Sequence, residues 1–133
     1  MFKIVFISIF ISLISFSARA EIDCENTSTT GGMYHCTMKI FEREDKKLNA
    51  AYKKAQGVLR DQGRSFQNSI WEDDKELGVI LLRDAQRSWI KFRDQACEAE
   101  GFTHFPGNMA PLVGLSCKVR LTIQRTEDLL AIK

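Results

Sequence analysis

Four cysteines, Cys24, Cys36, Cys97 and Cys117, limit what this chain can fold into, because its first twenty residues read as an export signal. Lys3 gives a basic start, Ile4 to Phe16 is a short apolar run broken only by serines, and Ala18-Arg19-Ala20 is a small-x-small cleavage site. The expected arrangement is a signal peptide over residues 1–20 and one domain over 21–133, delivered out of the cytosol. In an oxidising compartment, four cysteines in so small a domain read as two disulfides. Three connectivities are open to four cysteines. Local pairing, Cys24 with Cys36 and Cys97 with Cys117, is the expectation. The second ring closes about 20 residues and would contribute about 3 kcal/mol in the chain-entropy description. A zinc site drawing on His35 or His104 is the rival use of these thiols, but the spacing fits no standard zinc pattern. No metal or other cofactor is expected.

Removing 20 residues from 133 leaves 113, enough for a single small core and too few for two. Lys3 and Arg19 are the only charged residues of the leader, so 17 of the 19 basic residues remain, against 17 acidic ones. A neutral chain without a basic tract offers no footprint for nucleic acid. The apolar run is too short for stable membrane insertion, which takes about 20 residues. Cys24 does not follow a lipobox-like run, so lipid anchoring is not indicated.

Helical periodicity governs the rest. Phe41, Asp45, Leu48, Tyr52, Ala55 and Leu59 recur at steps of four and three, which predicts a helix from about Cys36 to a stop at Gly63. Asn26 to Gly32 is polar and turn-forming. Ser69-Ile70-Trp71-Glu72 has the form of a capping box and predicts the start of a second helix, with Leu77, Leu81, Ala85, Trp89, Phe92 and Ala96 as its buried face and Gly101 as its end. Gly101 to Gly114 holds both prolines and three glycines and reads as a loop. A third helix is expected from about Leu115 to Leu130, with Leu121, Thr122, Arg125 and Leu129 inward. No stretch has the period of a strand. The fold class is all-α: an antiparallel hairpin plus a C-terminal helix, stapled by two disulfides.

The polar residues inside the stripes call for partners. Antiparallel register sets Asp45 level with Gln86, and the Cys97–Cys117 pairing sets Arg125 within one turn of Gln86. Asp45, Gln86 and Arg125 are therefore expected to form a structural polar layer, and Arg93 and Asp94 to lie at the helix flank.

The motifs Met33-x-x-Cys36, Asp45-x-x-Leu48-Asn49-x-x-Tyr52, Ala85-Gln86-Arg87-x-Trp89-x-x-x-Arg93-Asp94-x-x-Cys97, Cys117 and Thr122-x-x-Arg125-Thr126-x-x-Leu129 together resemble the LprI-like lysozyme inhibitor family. The resemblance runs over nearly the whole of 21–133. It implies an exported bacterial helical domain that is not an enzyme, with lysozyme or a related peptidoglycan hydrolase as partner. The Gly31-Gly32 pair departs from the helix formers expected before Met33.

Direct reading of the residues agrees on the absence of catalysis: His35 and His104 sit in no triad or metal motif, and Asp73 and Asp74 read as first-turn helix charges. The segment that does not look like packing is Gly101 to Gly114, tied at both ends and presenting Phe102, His104, Phe105 and Met109. It is the candidate inhibitory loop, with Asn26 to Tyr34 as a second surface. The alternative function is a periplasmic binding or immunity protein directed at another toxin or cell-wall enzyme.

Overall fold

The computed structural model describes residues 23–133; the predicted signal peptide lies outside the described residues. Three helices make up the fold: α1 over Thr30–Arg64, α2 over Leu77–Phe102 and α3 over Ala110–Leu130. Both local disulfides are present, Cys24–Cys36 and Cys97–Cys117.

The first helix begins earlier than its apolar stripe. Thr29 caps it by accepting the Gly32 N–H at 3.1 Å, and the two glycines fall in the first turn instead of a loop. A Cβ on Gly32 would stand 1.8 Å from the Thr27 hydroxyl, so this glycine admits the folded-back segment that carries Cys24. Leu48, Ala51 and Ala55 form the buried face, with Tyr52 and Leu59 half-buried beside them. Gly63 does not end the helix by a left-handed turn. It lies buried in the last turn because the Lys75 carbonyl oxygen would be 1.9 Å from any Cβ there.

Residues 65–76 form a chain of turns, with Asn68 in the left-handed region at φ 61° and a 3-10 turn at Glu72–Asp74. Ser69 is not the cap of α2. Its hydroxyl donates to the Phe66 carbonyl at 2.6 Å and accepts from the Trp71 N–H at 3.1 Å, which spends the capping chemistry on the turn itself. The second helix starts at Leu77, and its buried face is Leu82, Gln86, Arg93, Cys97 and Gly101. The expected apolar face is therefore displaced: Leu77, Leu81, Ala85 and Phe92 are exposed, while Trp89 and Ala96 are half-buried.

The third helix also starts early, at Ala110, because Pro111 sits in its first turn, where a missing N–H costs nothing. The expected loop shrinks to residues 103–109, and α3 buries Leu112, Leu115, Cys117, Thr122 and Leu129. Its start lies beside the start of α1, where the Thr30 hydroxyl reaches the Met109 sulfur at 3.9 Å, and Leu129 packs with Leu48, Ala51 and Ala55. The first and last helices therefore run parallel, with α2 antiparallel to both. Helix α3 packs on each of the others more extensively than they pack on one another.

Candidate functional site

Arg93 organises the half of the bundle that faces the Cys97–Cys117 bridge. It is buried, its guanidinium lies over the rings of Phe41 and Trp89 at 5.2 and 5.3 Å, and its Nη1 donates to Thr122 Oγ1 at 3.4 Å. Nη2 is 3.0 Å from Asp94 Oδ1 and Nη1 is 3.6 Å from Asp45 Oδ1. Arg93 is thus a core residue, not a flank residue as the hydrophobic pattern indicated. An always-charged planar group can be buried where aromatic faces and carboxylates surround it.

The polar layer divides in two. Arg125 Nε donates to Gln86 Oε1 at 3.0 Å, with the Arg125 guanidinium 6.0 Å from the Trp89 ring. Asp45 is not part of that pair: it faces Arg93, about two turns further along α2, and accepts from Asn49 at 3.0 Å. The displacement follows from the turn-rich connection, which delays α2 to Leu77.

Burial would raise the Asp94 carboxyl, but the hydrogen bond and charge of Arg93, together with Lys118 at 3.3 Å, outweigh it and hold the group below its ordinary range. A carboxylate kept ionised suits an ion pair, not proton donation. Glu44 is likewise held low by hydrogen bonds from Lys47 and then Arg43. All four cysteines are in disulfides, and among the described residues no three of His, Cys, Asp and Glu are placed to hold a metal ion.

Beyond Arg93, the ends of α2 and α3 are drawn together. The bridge and the meeting of Gly101 with Gly114 allow this, since a Cβ on Gly101 would stand 2.7 Å from the Ala110 carbonyl oxygen and 3.3 Å from the Gly114 backbone. The short turn that follows presents Phe102 and Phe105, 69% and 66% exposed, stacked on each other with centroids 5.4 Å apart. His104 is exposed, its Nδ1 2.9 Å from the Thr103 hydroxyl, and Met109 is tied to Thr30. The Phe105–Pro106 peptide is cis.

Both rings line an open, mainly apolar cleft of ≈ 590 Å³, completed by Tyr34, Met38 and Phe41 of α1 and by Pro111 and Leu115 of α3; Asp94, Glu98 and Lys118 are its charged residues. Tyr34 closes the second candidate surface, Asn26 to Tyr34, whereas Met38 and Phe41 carry no sequence signal that marks them as site residues. They lie on the helix turns around Cys36, and only the parallel course of α1 and α3 brings them to the Phe105 turn.

The family model for the lysozyme inhibitor LprI matches residues 23–129, which takes in all three helices and both bridges. An uncharacterized protein of Rhizobium meliloti (strain 1021) is 30% identical over 118 residues, covering 82% of this chain and 77% of its own. No solved structure matches the chain. Among the described residues, no helix is long and apolar enough to cross a membrane.

Proposed function

The chain belongs to the LprI lysozyme inhibitor family, and from that premise we propose that it is an exported bacterial protein, without catalytic activity of its own, that binds a peptidoglycan-cleaving lysozyme and blocks its cleft. The observation that carries the contact surface is the stacked pair Phe102 and Phe105, left open to solvent on a turn anchored by the Cys97–Cys117 bridge. Large apolar groups held in place before binding lose little conformational freedom on complex formation, so their burial contributes fully to affinity. A glycosidase cleft supplies carboxyl groups and apolar sugar-binding surface. In this reading His104 donates to a cleft carboxylate, Phe105 covers the apolar floor with Phe102 stacked on it, and Met109 lies at the edge of the contact.

Clearing of bacterial cell walls by lysozyme, followed as turbidity, tests the reading. Wild-type protein is expected to slow clearing, and a His104→Ala, Phe105→Ala double variant to require at least about thirtyfold more protein for the same effect, as hot-spot truncations do. The variant is checked for an unchanged circular dichroism spectrum and for both disulfides. Equal inhibition by variant and wild type would move the contact to the Asn26 to Tyr34 surface. Failure of the wild type against every lysozyme class would shift the function to another toxin or cell-wall enzyme as target. Export is tested by fractionation, with the processed chain expected in the periplasm or medium.

A further inference from the structure

Helices α1 and α2 pack on each other less than either packs on α3, and midway along the bundle they leave a groove of ≈ 220 Å³ between them. Asn49 and Tyr52 stand on its α1 side, and Arg83, Gln86, Arg87 and Ile90 on its α2 side. Tyr52 follows Phe41 by about three turns of α1, or 16 Å, and the groove shares no lining residue with the cleft at the Phe105 turn. Gln86 gives the groove its chemistry. It is 8% exposed, and the hydrogen bond from Arg125 Nε fixes which end of its amide is the oxygen. Its nitrogen, Nε2, has no acceptor among the described residues and is not sealed from solvent, so it opens on the groove that Gln86 lines. A glutamate at this position would be the stronger acceptor for Arg125. What the amide adds is a donor, and no group of the fold uses it.

Two more donors in the same lining are free. The Tyr52 hydroxyl accepts from Gln56 at 3.1 Å and keeps its own proton to give, and Arg87 makes no hydrogen bond or ion pair among the described residues. Arg83, whose Nε is taken by Asp84, and the buried Arg93 add positive charge. Asp45 is the one carboxylate that lines the groove, and it is engaged by Arg93 at 3.6 Å and by Asn49 at 3.0 Å. We propose that this groove binds a small carboxylate, whose oxygens accept from Gln86 Nε2, the Tyr52 hydroxyl and the Arg87 guanidinium, with a short apolar substituent against Leu48 and Ile90. A planar monoanion suits one free guanidinium flanked by neutral donors. A tetrahedral dianion fits less well, because it would bring twice the charge to a lining that already holds Asp45. The proposal does not rest on the inhibitor reading, because the groove and the Phe105 cleft are separate.

Heteronuclear NMR of the processed, disulfide-bonded chain tests it, with N-acetylalanine and butyrate each added to about 20 mM so that millimolar dissociation constants are visible. The side-chain N–H signals of Gln86 and Arg87 are expected to shift saturably with a carboxylate and to stay in place with N-acetylalanine amide, which lacks the charge. Tighter binding of N-acetylalanine names a peptide terminus as the source of the carboxylate, and tighter binding of butyrate a free organic acid. Gln86→Glu keeps an acceptor for Arg125 and removes the donor; it is expected to melt as the wild type does and to bind at least about tenfold more weakly. Arg87→Gln, altered at an exposed position, is expected to lose as much. The absence of a saturable shift with either carboxylate overturns the proposal. So does binding of the neutral amide as tight as that of its acid, sulfate that shifts the same signals at lower concentration, or binding by both variants as tight as by the wild type.

Discussion

Arg93 shows why a buried cation is hard to find in a sequence. Hydrophobic periodicity selects Phe92 for the interior, one residue away, because nothing local reveals that Phe41, Trp89, Thr122, Asp45 and Asp94 converge on the guanidinium from three helices. Its truncation is the severe change: Arg93→Ala empties the buried space between Phe41 and Trp89, and is expected to cost about 3 kcal/mol in urea unfolding. Asp45→Ala is expected to cost about 1 kcal/mol at most, because Asp45 is substantially exposed and 3.6 Å from Arg93. The same charge site gives a pH dependence. Asp94 is depressed in the fold below its ordinary 3.8, so its ionised form stabilises the native state above that value and the contribution is lost as pH falls through the lower, folded value. Melting temperature is therefore expected to fall below about pH 4. In Asp94→Asn that acid-side decline should be visibly shallower. Gln86 and Arg125 are readable as a pair, because the Cys97–Cys117 spacing fixes the register of α2 on α3; Asp45 is not, because its register depends on the turns at 65–76.

Helix boundaries depend on what happens just outside the helix, and that is where the sequence speaks least clearly. The stripe of α1 is plain in Leu48, Ala55 and Leu59, but its start at Thr30 depends on Thr29 and on the room Gly32 leaves for Thr27. Pro111 and Gly114 read as loop residues and prove helical, one tolerated in a first turn and the other seated against the Cys97 carbonyl oxygen at 3.0 Å from its missing Cβ. Two glycines of α1 separate propensity from packing. Around Gly57 nothing lies within 4 Å of the place a methyl group would take, so Gly57→Ala is expected to stabilise by about 0.5 to 1 kcal/mol. Gly63→Ala must push the Lys75 carbonyl away and is expected to destabilise by about 1 to 3 kcal/mol. Thermal melts of the two variants beside the wild type should move in opposite directions. Replacing Cys97 and Cys117 together by alanine releases a ring spanning 20 residues and is expected to cost about 3 kcal/mol, read by denaturant unfolding.

At the scale of the whole molecule, the all-α class is written in periodicity and the local bridges are one of three pairings the cysteines allow, whereas the parallel pairing of α1 with α3 has no trace in the sequence. That pairing decides which surfaces meet, since it carries Tyr34, Met38 and Phe41 to the Phe105 turn and leaves Trp71 and Leu81 alone at the other end. It also dictates an order of events. Leu129 closes the core of Leu48, Ala51 and Ala55 across a wide sequence separation, and neither of the first two helices has another comparable surface to bury. A chain emerging from the ribosome with α1 and α2 complete would therefore have no stable tertiary structure until its last helix joined. A fragment ending at Met109 is expected to melt without a cooperative transition by circular dichroism. On the export proposed above, through a channel that passes only extended polypeptide, such late closure would act as a built-in delay, postponing folding until the chain had reached a compartment where its cysteines can oxidise.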